Sequence, residues 1–207
     1  MALAGVAAAV AGVWLGRKLY GAGPAQGTGP LRPPGAAPET QFAGLCVRCG
    51  NCVRACPARI LRPDLGESGA AGLLAPLVRF ETDFCRPGCV RCMEVCPSGA
   101  IGRPRGKGWK ERKLAAPIGL AVVEMDLCWL VEDRECSICR QACPFDAITY
   151  AWNEATYSRA PAIDPALCPG CGACEVACPA TNQWERENLV PQPPVRKAIR
   201  VKRKDEV

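Results

Sequence analysis

Histidine is absent from this 207-residue chain. That absence removes a set of chemistries. There can be no haem on an axial His, no C-x-x-C-H haem attachment and no Rieske centre. A Cys₂His₂ zinc finger and a Ser-His-Asp triad are excluded too. Aromatic residues are scarce, at 6%, so the organic core is thin for the length. The apolar run at residues 2–16 holds fifteen residues, short of the ~20 that span a bilayer comfortably. A hydrophobic share of 49% nevertheless argues against a disordered chain. Something other than side-chain packing must help to hold the fold, and cysteine is abundant, with 16 residues.

The cysteines fall into four groups of four: Cys46, Cys49, Cys52, Cys56; Cys85, Cys89, Cys92, Cys96; Cys128, Cys136, Cys139, Cys143; and Cys168, Cys171, Cys174, Cys178. Each group ends alike: Cys, two residues, Cys, three residues, Cys, Pro. The closing residues are Pro57, Pro97, Pro144 and Pro179. Groups one and four carry the full C-x₂-C-x₂-C-x₃-C-P run of bacterial ferredoxins. Group two opens with a three-residue gap and group three with a seven-residue gap.

The spacing has a physical reason. Three thiolates two residues apart reach three corners of a cubane only if the chain curls tightly around it. Gly50, Gly170 and Gly172 permit that curl. The third and fourth Cys stand at i and i+4, on one face of a short helical turn, and Pro then ends the turn. Disulfides suit small secreted scaffolds but do not require a fourfold C-x₂-C-x₃-C-P. Structural zinc uses pairs of C-x₂-C knuckles and needs no third Cys two residues on. A thioredoxin-like C-x-x-C uses two cysteines, not sixteen. The pattern predicts four [4Fe–4S] clusters, with a [3Fe–4S] or rearranged site as the alternative at the Cys85 group.

Along the chain, residues 1–20 read as an apolar signal-like or anchor-like segment. The run 2–16 fits a signal-peptide core, a tilted anchor or a helix packed on the body. Residues 21–38, with five Gly and five Pro, read as an extended tether. The ordered body should begin near Glu39. Candidate strands precede groups two, three and four at Leu77–Phe80, Ala121–Met125 and Ala162–Ile163. Ile60, Ile101 and Ile148 come after three of the closing prolines and should pack against a cluster and start a strand. The fourth group continues as CPATNQW and lacks the Ile, so it is a divergent repeat or a docking end.

Charge is unevenly placed. Residues 103–113 hold six Lys or Arg and one Glu, and residues 196–204 hold six more. The first stretch reads as a basic linker (103–115) and the second as part of a basic C-terminal tail (186–207), solvated or partner-docking. The formal net charge of +6 overstates the true value once clusters are loaded. Nucleic acid is not indicated, since there is no helix-turn-helix pattern and no interleaving of aromatic and basic residues.

Leu31–Ala36, Phe42 and Cys46-Val47-Arg48-Cys49-Gly50 through Cys56-Pro57 resemble the NapG/MauM family of ferredoxin-type proteins. So do Cys96-Pro97-Ser98-Gly99-Ala100-Ile101, and Gly119-Leu120-Ala121-Val122 leading to Cys128 with its long gap. The resemblance covers roughly residues 30–180. It implies four [4Fe–4S] clusters and a place on the periplasmic side of the inner membrane, exported folded or N-terminally anchored. It also implies a NapH-like membrane partner that oxidises quinol, and delivery of electrons to a terminal redox enzyme. The chain departs from the family in having no Arg-Arg before its apolar run, and in the Cys85-x₃-Cys89 spacing.

The fold expected is α+β: two tandem bacterial-ferredoxin-like two-cluster units, residues 39–102 and 116–185, with short helices and small antiparallel sheets. In two-cluster ferredoxins the fourth Cys of each group ligates the other cluster. That rule assigns Cys46, Cys49, Cys52 and Cys96 to cluster one, and Cys85, Cys89, Cys92 and Cys56 to cluster two. Cluster three takes Cys128, Cys136, Cys139 and Cys178. Cluster four takes Cys168, Cys171, Cys174 and Cys143. No catalytic constellation stands apart from these ligands, so the chain reads as an electron carrier rather than an enzyme. The alternatives are a polyferredoxin subunit of a cytoplasmic hydrogenase or Mo/W oxidoreductase, and a non-redox maturation or structural metal-binding module.

Overall fold

The computed structural model describes residues 29–132, 134–154, 157–181 and 196–207. The apolar run 2–16 and the first part of the Pro/Gly-rich stretch lie outside them. The elements are short because the chain must keep returning to the cysteine groups. They are α1 (Glu39–Leu45), α2 (Asn51–Ala55), β1 (Leu61–Pro63), β2 (Pro76–Val78), α3 (Arg91–Glu94) and α4 (Trp109–Leu114). After these come β3 (Leu120–Val123), α5 (Ile138–Gln141), β4 (Ile148–Asn153), β5 (Ser158–Ile163), α6 (Ala173–Ala177) and β6 (Ile199–Lys202).

The strands form three two-stranded antiparallel sheets: β1–β2, β3–β6 and β4–β5. In each unit two short helices pack together, α2 on α3 and α5 on α6. This is the expected α+β pattern of two ferredoxin-like units. A single hydrophobic cluster runs through both, and seven of its buried members are cysteines: Cys52, Cys85, Cys92, Cys139, Cys168, Cys171 and Cys174. The thiols thus supply core volume that the few aromatics do not. Phe42 and Phe145, both fully buried, provide much of the rest.

Three stretches outside the expected units carry structure of their own. Within the expected tether, residues 31–37 bond to unit one. Val78 N donates to Leu31 O at 2.9 Å, Ala37 N to Ala100 O at 2.9 Å and Gly102 N to Gly35 O at 2.7 Å. Buried Arg32 donates to Glu39 at 2.6 and 2.9 Å and to Pro76 O at 3.1 Å, and its guanidinium lies 5.0 Å from the Phe42 ring centre. Pro and Gly restrict the backbone here without keeping it off the body.

The expected basic linker is partly helical. Its residues Trp109–Leu114 form α4, with Glu111 in the first turn and Arg112 and Lys113 in the last, the order that suits the helix dipole. The expected basic tail contains a strand. Ile199–Lys202 pairs with Leu120–Val123, and Ile199 and Val201 are buried. The alternation Ile-Arg-Val-Lys is a half-buried strand in which the basic residues occupy the outer face. Of the candidate strand positions, Leu77 and Val78 fall in β2, Ala121–Val123 in β3 and Ala162–Ile163 in β5. Ile148 opens β4 and Ile60 immediately precedes β1, whereas Ile101 makes only an isolated bridge to Ala36. All three Ile side chains are buried.

Candidate metal centres

The third cysteine of every group sits inside a short helix: Cys52 in α2, Cys92 in α3, Cys139 in α5 and Cys174 in α6. The fourth lies just past the helix end. Cys56 and Cys178 have left the helical region for extended backbone. The i, i+4 pair therefore does not stay on one helical face: the turn stops, and the last thiol is free to reach away from its own group.

A left-handed turn recurs after the closing proline. Three residues after the fourth Cys stand Arg59, Gly99 and Asp146, at φ 53°, 73° and 55°. This turn swings a later N–H back onto the thiol. Ile101 N donates to Cys96 Sγ at 3.4 Å, and Ala147 N to Cys143 Sγ at 3.4 Å. Burial alone would push the Cys96 thiol up. Bonds from Ile101, Ser98 and Gly99 outweigh it and hold the group below its ordinary range. In the fourth group the chain instead meets β6, with Ala198 N donating to Ala180 O at 3.0 Å.

The thiols gather across groups. Cys46, Cys49, Cys52 and Cys96 line one small cavity. Cys85 feels the charges of Cys89 and Cys56. Cys128 feels Cys136 and Cys178. Cys171 feels Cys168 and Cys143. Burial pushes the Cys52 and Cys139 thiols up to about 11, and those of Cys92 and Cys171 up to about 12. Cys174 is driven higher still by burial, with Cys171, Cys168, Cys143 and Cys139 adding to it. Left to themselves such thiols hold their protons; a metal that binds thiolate must displace them.

The donor set fits iron–sulfur clusters. All sixteen cysteines are free. Among the described residues, no three Cys, Asp or Glu side chains converge on a point that would hold a single ion.

Neighbouring gatherings also feel one another's charge. Cys92 feels Cys52, Cys85 feels Lys113 and lies beside Cys171, and Cys174 feels Cys139. The two units meet directly where Cys85 N donates to Cys171 O at 2.9 Å. Beside that bond Gly172, at φ +84°, presses so close to Phe80 that a Cβ there would overlap the ring. Gly172 therefore both supplies the left-handed entry to α6 and lets unit one approach. Helix α4 spans the same junction. Trp109 packs edge-on against Phe145 of unit two, with ring centres 5.4 Å apart, while Lys113 reaches into unit one. Sequence reasoning did not single out Lys113, because one Lys in a run of basic residues carries no local mark of burial.

Two short helix pairs, small antiparallel sheets and four cysteine gatherings define a tandem dicluster ferredoxin. The 4Fe-4S dicluster domain family matches residues 45–100 and 134–182. The methylamine utilization ferredoxin-type protein MauM of Methylophilus methylotrophus is 37% identical over 170 residues, covering 79% of this chain and 72% of that protein. MauM of Methylorubrum extorquens is 39% identical, covering 72% of this chain and 67% of that protein. The ferredoxin-type protein NapG of Escherichia coli is also 39% identical, covering 72% and 65%. The chain belongs to this NapG/MauM family of ferredoxin-type iron–sulfur electron-transfer proteins. The two dicluster regions and the sixteen cysteines give it four [4Fe–4S] clusters. Among the described residues, no helix is long and apolar enough to cross a membrane.

Proposed function

We propose that this chain relays electrons between a membrane quinol-oxidising partner of NapH type and a terminal redox enzyme on the periplasmic side of the membrane. It acts as a carrier without a catalytic site of its own. Each cluster is held by three cysteines of one group and the fourth of its partner group: Cys46, Cys49, Cys52 with Cys96; Cys85, Cys89, Cys92 with Cys56; Cys128, Cys136, Cys139 with Cys178; Cys168, Cys171, Cys174 with Cys143. When bound, the clusters supply one-electron redox chemistry. The protein supplies thiolates and N–H donors to sulfur.

The observation that carries the relay is the bond from Cys85 N to Cys171 O at 2.9 Å. With the ligand sets proposed above, this contact supports an arrangement in which cluster two lies beside cluster four, in the order one, two, four, three. Electrons then cross between units without a mobile domain. Family membership supports the direction of flow and the partners.

Protein purified without oxygen tests the reading. Four cubanes require about sixteen iron and sixteen sulfide per chain. Zinc without sulfide would overturn it. A value near twelve would point to the Cys85 group. Reduction by quinol, only when membranes carrying the NapH-type partner are added, is expected. An export reporter fused after Val207 should be active outside the cytoplasm, and activity only inside would favour a cytoplasmic polyferredoxin.

A further inference from the structure

Lys113 is 2% exposed, yet it forms no salt bridge among the described residues. Its ammonium group makes two contacts. Nζ donates to Cys85 Sγ at 3.0 Å and to Cys89 O at 3.1 Å. A buried cation is retained only where an anionic partner compensates it. Neither contact is a carboxylate, and one is a sulfur of the group with the unusual three-residue gap. The backbone fixes the position of the residue: Trp109 anchors the start of α4 on Phe145, 5.4 Å between ring centres, and the last turn points at Cys85.

We propose that Lys113 raises the reduction potential of the cluster bound by Cys85, Cys89, Cys92 and Cys56, at the joint between the units. This role rests on the ligand set proposed for the relay. On reduction the cluster takes up one electron from a neighbouring cluster, or from dithionite in the test. No bond forms or breaks, and no proton is exchanged. The added negative charge spreads onto the ligand sulfurs. A fixed positive charge donating to one of those sulfurs stabilises the reduced form more than the oxidised form. Hydrogen bonds to sulfur and local charge are the levers by which a protein sets such potentials. Lys113 provides both at one atom, and none of the other fifteen thiols accepts a hydrogen bond from a charged side chain among the described residues. As a positioning residue it acts through Cys85, without contact with a donor or acceptor protein.

The test is a potentiometric EPR titration of the full, loaded protein with Lys113→Gln and Lys113→Arg. Lys113→Gln should keep sixteen iron and lower the midpoint of one cluster by at least a tenfold change in its oxidised-to-reduced ratio, 59 mV for one electron. The other three midpoints should stay in place. Lys113→Arg should restore most of the shift. Four unmoved midpoints at full iron content would overturn the proposal. So would loss of one cluster in both variants, which would make Lys113 a packing residue. The shifted signal should be the one lost in Cys92→Ser. A shift in a different cluster would keep the role of Lys113 and sink the ligand assignment instead.

Discussion

Cys56 and its three counterparts are the residues on which the proposed crossed ligation turns. Cys56 leaves α2 in extended backbone and its charge is felt at Cys85, in the other group. Cys56→Ser should therefore remove or alter the cluster-two EPR signal and leave cluster one; loss of cluster one alone would refute the crossing. Protonation belongs to the same scale. Thiols raised to between about 11 and about 12 by burial are protonated near neutrality, so cluster insertion must expel protons. Reconstitution at fixed iron and sulfide should become more complete as pH rises from about 7 toward 9. For the cluster-free fold the sign reverses. The raised thiols contribute stability below their ordinary value of about 9, and it is lost as pH climbs through about 11 to 12. Reconstitution that is flat with pH would contradict the burial argument. Among the residues, the sixteen cysteines were legible because their spacing is local and leaves none over. Lys113 was not, because its burial depends on the placement of α4 between two units.

At the scale of elements, the charge-rich ends proved the hardest to read. The alternation Ile199, Val201 was present in the sequence, but its basic neighbours masked it. Its partner β3 lies about eighty residues away, as the pair Leu120–Lys202 records. No local pattern announces such a pairing. Further contacts hold β6 and the residues before it. Val201 N donates to Glu175 at 2.7 Å, and Glu124 pairs with Arg200, with Lys202 at 3.8 Å and with Arg196 at 3.4 Å. Removing residues 196–207 would take Ile199 and Val201 out of the core and bare Ala121 on β3. Iron should fall from about sixteen to about eight as unit two fails, with the unit-one clusters kept. Retention of all sixteen would show the strand to be dispensable. The amino-terminal segment invites a parallel test. Arg32→Ala strands Glu39 and the Pro76 carbonyl; because Glu39 is partly exposed, the cost should be about 2 kcal/mol, below the range for fully buried pairs. Denaturation of the loaded protein measures it.

For the whole molecule, the decisive feature is the joint. Phe80, Gly172, Cys85, Cys171 and α4 lock the units together there, and a Cβ at position 172 would overlap the Phe80 ring. Gly172→Ala should leave iron content near sixteen while weakening the magnetic coupling between clusters two and four. Unchanged coupling would mean that the joint tolerates the methyl group. The two-unit division was readable from the cysteine groups. The contact between the units was not, because it joins residues eighty-six positions apart, Cys85 and Cys171.

The long-range pairing of β3 with β6 also gives assembly a direction in time. All eight cysteines of the first two groups have left the ribosome once Lys113 has emerged. Strand β3 comes within ten residues, and then waits, its edge unpaired, until Lys202 has been made. A chain interrupted during synthesis would therefore carry iron in its first half and open thiols in its second. The machinery that delivers clusters must either work from the amino end forward or shield the second unit's cysteines until the last strand arrives.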